Sequence, residues 1–470
     1  MDEALTIAVV GHTNAGKTSL LRTLTRQAGF GQVSDRPGTT RHAEAVVLRL
    51  DGRVLARFID TPGLEDAVAL QEFLRRQAGE SELAQLRAFL HGPEARGVFE
   101  QEAKVVRALL EQADCAMLVI DARQPVLPKY RAELRVLSWC ARPILPVLNF
   151  TRDAAARLDD WHQLLRESGL HARVEFDAVA PFTGAEQRLY ADLATLLPSH
   201  RERLQQINAG LQAQAHERRQ AACRVVAGAL IDVAAMRRAL PAAEFASPER
   251  QPAFVRAFQD EVGRHAQRAV DALLALYAFR PGDAELAGLP ALAGRWEDDL
   301  FNPELLQRVG QRLGLGAIVG AGVGVLADLA LAGLSLGAAT TLGATVGGAV
   351  SGGWRPLWRK LSNRIEGVQE LTAEDGVLAL LAVHLLALTR ALALRGHAAQ
   401  QPLRVPGAAL DEADGNEALQ ALVGALSSAR GHPEWERGSG DADREALERA
   451  LAARLDALLD TPVAVAIAIS

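Results

Sequence analysis

Cysteine is scarce. The 470 residues hold three, Cys115, Cys140 and Cys223, far apart along the chain. That spacing supports neither a disulfide framework nor a cysteine metal site, and it fits a reducing, cytoplasmic compartment. An excess of positive charge is missing too. The formal net charge is −6, which argues against a general affinity for nucleic acid. The histidines show no metal-ligand spacing, no nucleophile–histidine–acid set stands out, and no internal repeat is visible. The start, Met-Asp-Glu, lacks the basic and apolar stretches of a secretory leader, so none is expected.

Apolar residues make up 49% of the chain, enough to bury more than one core. A chain this long exceeds a single core, so two to three domains are expected. In the first part, short β-branched runs alternate with helical patterns. Leu5–Val10, Ala43–Leu50, Val54–Asp60, Cys115–Asp121, Pro143–Asn149 and Arg173–Asp177 read as strands. Asp51-Gly52 marks a hairpin between the second and third. Lys17–Gln27 reads as a helix, with Leu20, Leu21 and Leu24 on one side. This alternation implies an α/β domain with a mainly parallel sheet and helices on both faces. Its boundary is expected at 1–197, with a helical insertion around 66–112.

From 198 to 470 the pattern is mainly α-helical. Ser199–Glu202 has capping-box spacing. Thr372–Asp375 is expected to cap an apolar helix, and Gly431–Asp443 reads as a linker before a last helix. Residues 313–353 are rich in glycine and alanine and carry one charge, Asp328. Gly316, Gly320 and Gly324 are spaced by four, as are Gly343 and Gly347, which lets helices approach closely. A helical hairpin turning at Asp328 is expected. It would be buried in the domain or between protomers of a homo-oligomer, or it would attach to a membrane surface at the inner membrane, and Arg308, Arg312, Arg355, Arg359 and Lys360 flank it.

Gly11-His-Thr-Asn-Ala-Gly16-Lys17-Thr18 has the P-loop pattern, following a strand and opening a helix. Its glycines let backbone N–H groups wrap phosphates, and the helix N-terminus adds partial positive charge. Gly11, Asn14, Ala15, Gly16, Lys17, Thr18 and Ser19 are therefore candidate nucleotide-binding residues. Lys17 would neutralise the β- and γ-phosphates, and Thr18 would bind magnesium. Asp60-Thr61-Pro62-Gly63 follows at the end of a strand. There Asp60 can hold magnesium and the Gly63 N–H can sense the γ-phosphate. Between the two lies Gly38-Thr39-Thr40-Arg41, where a threonine can complete the magnesium shell.

These motifs resemble the bacterial Era/TrmE/EngA group of GTPases over roughly residues 5–195. The resemblance implies a P-loop GTPase domain binding GTP and GDP with magnesium on Thr18, Thr40 and Asp60, and hydrolysis helped by Lys17, Thr40 and Gly63. It also implies a potassium ion near Asn14, enclosed by the loop holding Ser34 and Thr39. Leu64 stands where Ras-type proteins place the glutamine that orients water. The group's base-reading motif, Asn-Lys-x-Asp, is altered here. Asn149 matches, Phe150 replaces the lysine, and Asp153 comes one position late. Either Asp153 reads guanine after a local backbone shift, with Phe150 stacking on the base, or guanine specificity is weakened. A nucleotide-dependent switch with an unknown protein partner is expected. A ribosome- or RNA-associated GTPase and a poorly hydrolysing nucleotide-binding scaffold are the alternatives. His12 receives no role from the sequence.

Overall fold

The protein is described by a computed structural model. It describes residues 4–26, 44–50, 52–77, 80–178, 184–245, 247, 249–279, 334–336, 368–394, 413–438 and 440–460. The chain divides into two compact units, with the break after Ala215.

In the first unit, six strands form one sheet in the order β2-β3-β1-β4-β5-β6. They are β1 (Leu5–Val10), β2 (Glu44–Leu50), β3 (Arg53–Asp60), β4 (Cys115–Asp121), β5 (Ile144–Asn149) and β6 (Val174–Glu175). All neighbours run parallel except β2, which pairs antiparallel with β3. Gly52, with φ of 76°, makes that turn. β1 sits at the centre, and Leu5, Ile7, Ala8, Val9 and Val10 have no exposed surface. Apolar side chains on both faces suit a strand covered by helices on both sides, each leucine, isoleucine or valine contributing about 1.5–3 kcal/mol when buried. β2 lies at the edge. Its Val46, Leu48 and Leu50 are buried while Ala45 and Arg49 are exposed, the alternation of a strand with one wet face.

One core layer joins β1, β4 and β5 to helix α1 (Lys17–Thr25), to α7 (Ala185–Leu196) and to the first turns of α8 (Arg201–Ala235), through Leu204, Ile207 and Leu211. The opposite layer packs α2 (Ala67–Arg76), α3 (Glu82–His91), α4 (Glu100–Arg107), α5 (Pro128–Trp139) and α6 (Leu158–Glu167) against the sheet. The segment 66–112 is thus helical, with a π turn over Ala108–Gln112 joining α4 to β4. Phe73, Phe89 and Phe99 meet edge-on or tilted in its centre, with centroids 5.6–6.2 Å apart. Ser199 does not cap α8; it lies in a 3-10 turn, Pro198–His200, that precedes it.

The second unit is helical, as expected, but its described residues also form a three-stranded sheet that the sequence reading missed. Its order is β7-β9-β8, with β7 (Arg238–Pro241), β8 (Leu334–Leu336) and β9 (Val368–Ala373) paired antiparallel. Thr372, expected to cap a helix, lies in β9. Of the glycine-rich segment 313–353, only Leu334–Leu336 is described, and it is extended rather than helical; the rest of the expected hairpin lies outside the described residues. The core is built on α8, α9 (Arg250–Leu276), α10 (Asp375–Leu394), α11 (Ala413–Ala425) and α12 (Ala442–Asp460). α10 is long and apolar enough to cross a membrane, yet most of it is buried inside this unit. His384 on α10 sets Nδ1 2.8 Å from the Leu380 carbonyl, as fits a core histidine.

Candidate functional site

The loop between β1 and α1 is shaped by three residues with positive φ, Gly11 (140°), Asn14 (64°) and Gly16 (92°). A side chain at Gly11 would put Cβ 2.3 Å from the Val119 carbonyl oxygen, and one at Gly16 would put it 2.3 Å from Asn149 Nδ2. Only glycine fits either place. Asparagine tolerates the left-handed region better than most residues. These turns bend the backbone of Gly11–Gly16 into the concave row of N–H groups that binds phosphate, with α1 starting directly behind it. Ala15 is buried against the core, and Ser19 sits on the first turn of α1.

Lys17 is buried, and its ammonium donates to the Gly11 and His12 carbonyls at 2.9 and 3.0 Å. Burial lowers its pKa, with Asp60 the leading opposing influence, followed by Glu133 and Glu65. An anion arriving in the loop would relieve that desolvation. The Thr18 hydroxyl donates to Asp60 Oδ2 at 2.6 Å, so the end of β3 and the start of α1 converge. Thr61 holds this register: its N–H and hydroxyl both donate to the Val9 carbonyl, at 3.3 and 2.8 Å. Gly63 then lies against the P-loop, where a Cβ would be 2.3 Å from Thr13 Oγ1. Leu64 is buried in the core beneath α2. Thr39 and Thr40, and Ser34 with them, lie outside the described residues.

Hydroxyl and carboxylate oxygens side by side at a phosphate loop are the donor set magnesium takes, since it is usually held by one or two protein oxygens plus phosphates. Thr18 and Asp60 fit that ion.

On the base side, Asn149 is almost fully buried and joins three segments. Its Nδ2 donates to the Ala15 carbonyl at 3.0 Å, and its Oδ1 accepts from the Phe150 and Ala178 N–H groups at 3.0 Å each. Phe150 has φ of 59°, and its ring carries the Arg123 guanidinium 3.8 Å from the centroid. Arg123 is held in turn by both oxygens of Asp121, at 2.9 Å each. Asp153 does not extend freely into the loop: its Oδ1 accepts from the Ala155 N–H at 2.9 Å, and its Oδ2 lies 3.8 Å from Arg123. Sequence reasoning found Asn149 but missed Arg123, because the residue that backs Phe150 comes from the end of another strand.

It also missed the surroundings of His12. A cavity of about 230 Å³ lies beside the P-loop, lined among others by His12, Thr13, Lys129, Tyr130, Glu133 and Trp161. Glu133 is buried, and its Oε1 has no hydrogen-bond partner. Burial pushes its carboxyl up to about 8, against the pull of the Lys17 and Lys129 ammoniums. A lysine and a glutamate four residues apart on α5 gave no sequence signal beyond an ordinary helix face.

Two family profiles match the chain. One, described as "Domain of unknown function (DUF3482)", matches residues 162–454, and the other, described as "50S ribosome-binding GTPase", matches residues 6–150. The chain is similar to the tRNA modification GTPase MnmE of Halorhodospira halophila, 31% identical over 183 residues, which are 39% of this chain and 32% of that protein. It is similar to GTPase Der of Burkholderia mallei, 29% identical over 147 residues, 30% of this chain and 26% of that one. A solved structure of Era from Aquifex aeolicus bound to GDP.AlF4- is 20% identical, covering 37% of this chain and 50% of that chain, with a TM-score of 0.27. The chain therefore spans about a third or less of the length of the curated relatives it matches. The resemblance read from the motifs holds: residues 6–150 are a P-loop GTPase domain, and a helical region of another kind follows.

Proposed function

The chain belongs to the DUF3482 family, whose profile covers more than half of it behind a P-loop GTPase domain, and on that premise we propose that it hydrolyses GTP to GDP and phosphate as a nucleotide-dependent switch. The convergence of Lys17, Thr18, Asp60 and Gly63 on one phosphate loop carries this reading. With GTP bound, the Lys17 ammonium exchanges the Gly11 and His12 carbonyls for β- and γ-phosphate oxygens. Thr18 and Asp60 would hold magnesium, which would supply positive charge against the phosphates. The Gly63 N–H faces the γ-phosphate. Water attacks the γ-phosphorus, the bond to the β-γ bridging oxygen breaks, and the electron pair leaves with GDP. Because Leu64 is buried, no side chain at that position orients the water, so intrinsic turnover is slow. By resemblance, Asn14 would hold a potassium ion adding positive charge beside the phosphates, and Thr40 would be a further magnesium ligand.

Two features support switching. Asp66 caps α2 through the Ala69 N–H at 3.0 Å, and its own N–H donates to the buried Glu102 on α4 at 3.0 Å. A change in the 60–66 loop on hydrolysis is thereby passed into the α2–α4 region, which offers a surface for a protein partner. Three buried free cysteines suit a cytoplasmic setting.

A second reading is favoured by one observation: Asp153 caps its own turn while Phe150 and Arg123 form a stacked floor. Stacking does not discriminate among purines, so base specificity would be relaxed. One experiment addresses both. GTP, ATP and XTP compete for a bound fluorescent GTP analogue with magnesium and potassium present, and phosphate release is measured beside Lys17→Ala. Competition by GTP alone, with release above the control, supports the switch GTPase. Equal competition by ATP supports the second reading, and release no faster than Lys17→Ala removes hydrolysis altogether.

A further inference from the structure

His12 occupies the second position of the phosphate loop, and nothing in the reaction described above uses its side chain. The ring is half-buried and fully engaged. Nδ1 lies 3.2 Å from the Leu64 carbonyl oxygen, and Nε2 lies 2.8 Å from Lys129 Nζ. Tyr130 packs edge-on against it, with centroids 5.4 Å apart. These partners settle the tautomer. A carbonyl can only accept and an ammonium can only donate, so Nδ1 carries the proton and Nε2 presents its lone pair. Lys129, Tyr130 and Glu133 face the ring from α5, Lys17 from α1, and Glu65 from the neighbouring loop. Burial and the two ammoniums favour the neutral ring, which is the form both hydrogen bonds need.

Leu64, whose carbonyl His12 contacts, is the residue directly after Gly63. Gly63 is already seated on Thr13, the residue next to His12. The two loops are thus pinned at adjacent points: by close packing at Thr13–Gly63 and by a hydrogen bond at His12–Leu64. The Leu64 side chain points into the core and has no polar group with which to set the loop.

We propose that His12 is a positioning residue for hydrolysis: with its tautomer set by Lys129, it holds the Gly63–Leu64 segment against the P-loop so that the Gly63 N–H meets the γ-phosphate already aligned. The inference rests on the GTPase reading given above. Leu64 offers no polar side chain to set this segment, and a hydrogen bond between the His12 ring and the Leu64 carbonyl sets it from the P-loop side.

The test uses the full chain and four variants: His12→Ala, His12→Asn, Lys129→Met and the double variant His12→Asn/Lys129→Met. An asparagine amide nitrogen falls where Nδ1 stands, so His12→Asn keeps the donor to Leu64 and dispenses with Lys129. Phosphate release under saturating GTP, KM, GDP affinity and Tm are measured for each. His12→Ala is expected to lower kcat about tenfold, the scale of one aligned hydrogen bond, with GDP affinity and Tm nearly unchanged. His12→Asn recovers most of the rate. Lys129→Met lowers kcat in the wild-type background and has no further effect in the His12→Asn background. An unchanged or faster kcat in His12→Ala overturns the inference. So does a loss of kcat that His12→Asn fails to rescue and that is matched by equal losses in GDP affinity and Tm, since that pattern marks a merely structural residue. Wild-type release no greater than that of Lys17→Ala overturns the GTPase reading and this inference together, whereas normal wild-type release with an indifferent His12→Ala overturns only the latter.

Discussion

Replacing Asn149 with alanine tests how the nucleotide loop is held in place. The side chain is 1% exposed and connects the P-loop at Ala15, the end of β5 at Phe150 and the loop after β6 at Ala178. Alanine removes three hydrogen bonds and strands one carbonyl and two N–H groups. A typical hydrogen bond is worth about 1 kcal/mol net, and an orphaned buried partner costs about 1–3 kcal/mol. Phe150 N and the carbonyl of Ala15 can regain water as the loop opens, so the lower part of the range applies and the total is about 3–5 kcal/mol. With a urea m-value of about 2 kcal/mol/M, the unfolding midpoint of the first unit falls by about 2 M. Trp161, fully buried in that unit, reports the transition by its emission. Asn149→Asp keeps both acceptor contacts but faces a carboxylate to the Ala15 carbonyl, so it falls between wild type and alanine. A midpoint shift below about 0.5 M for Asn149→Ala refutes the reasoning, because the three segments would then be held by something else.

Three further outcomes are expected. Glu133 keeps in the folded chain a proton that the unfolded chain releases near its ordinary pKa. The stability linked to it is therefore complete below about pH 4 and is lost as the pH rises through about 8. The Tm of the wild type should fall more steeply than that of Glu133→Gln across that range, and parallel profiles count against the assignment. Gly11→Ala sets a Cβ 2.3 Å from the Val119 carbonyl at φ of 140°; GDP affinity measured by calorimetry should drop at least about 100-fold, from a strain of about 3 kcal/mol. Cys115, Cys140 and Cys223 are buried, with burial pushing each thiol up to about 12. Ellman's reagent should find no fast-reacting thiol in the native protein and three after denaturation; a native thiol reacting at once disproves their inertness.

The first unit was legible because its signals are local. β4 is an apolar run, Cys115–Ile120, closed by Asp121, and the β2–β3 turn is announced by Asp51-Gly52. The P-loop and Asp60 motifs follow their strands at fixed spacing, and the structure brings Lys17, Thr18, Asp60, Gly63 and Asn149 together. What escaped depends on side chains meeting across distant elements. His12 and Lys129 are 117 residues apart, and Arg123 finds Phe150 only because β4 and β5 pair Asp121 with Asn149. The small sheet of the second unit escaped for a similar reason. Arg238–Pro241 and Val368–Ala373 are short, and their pairing joins segments too far apart for any turn signal. The Asp153 shift was visible, but not that its carboxylate would turn back on Ala155.

Helix α10 has a consequence for how the chain must be made. It shares one core with Leu419, Leu422 and Val423 of α11 and with Leu451, Leu455 and Leu458 of α12, all synthesised after it. At about 5–20 residues per second, several seconds separate the emergence of Leu394 from that of Leu458. During that interval the nascent chain displays a segment indistinguishable, by length and composition, from a membrane span. Chaperones and the membrane-targeting machinery would compete for it. A chain terminated before α11 would never withdraw it from them, so a nonsense mutation there yields an aggregating or misrouted fragment rather than a shortened working protein.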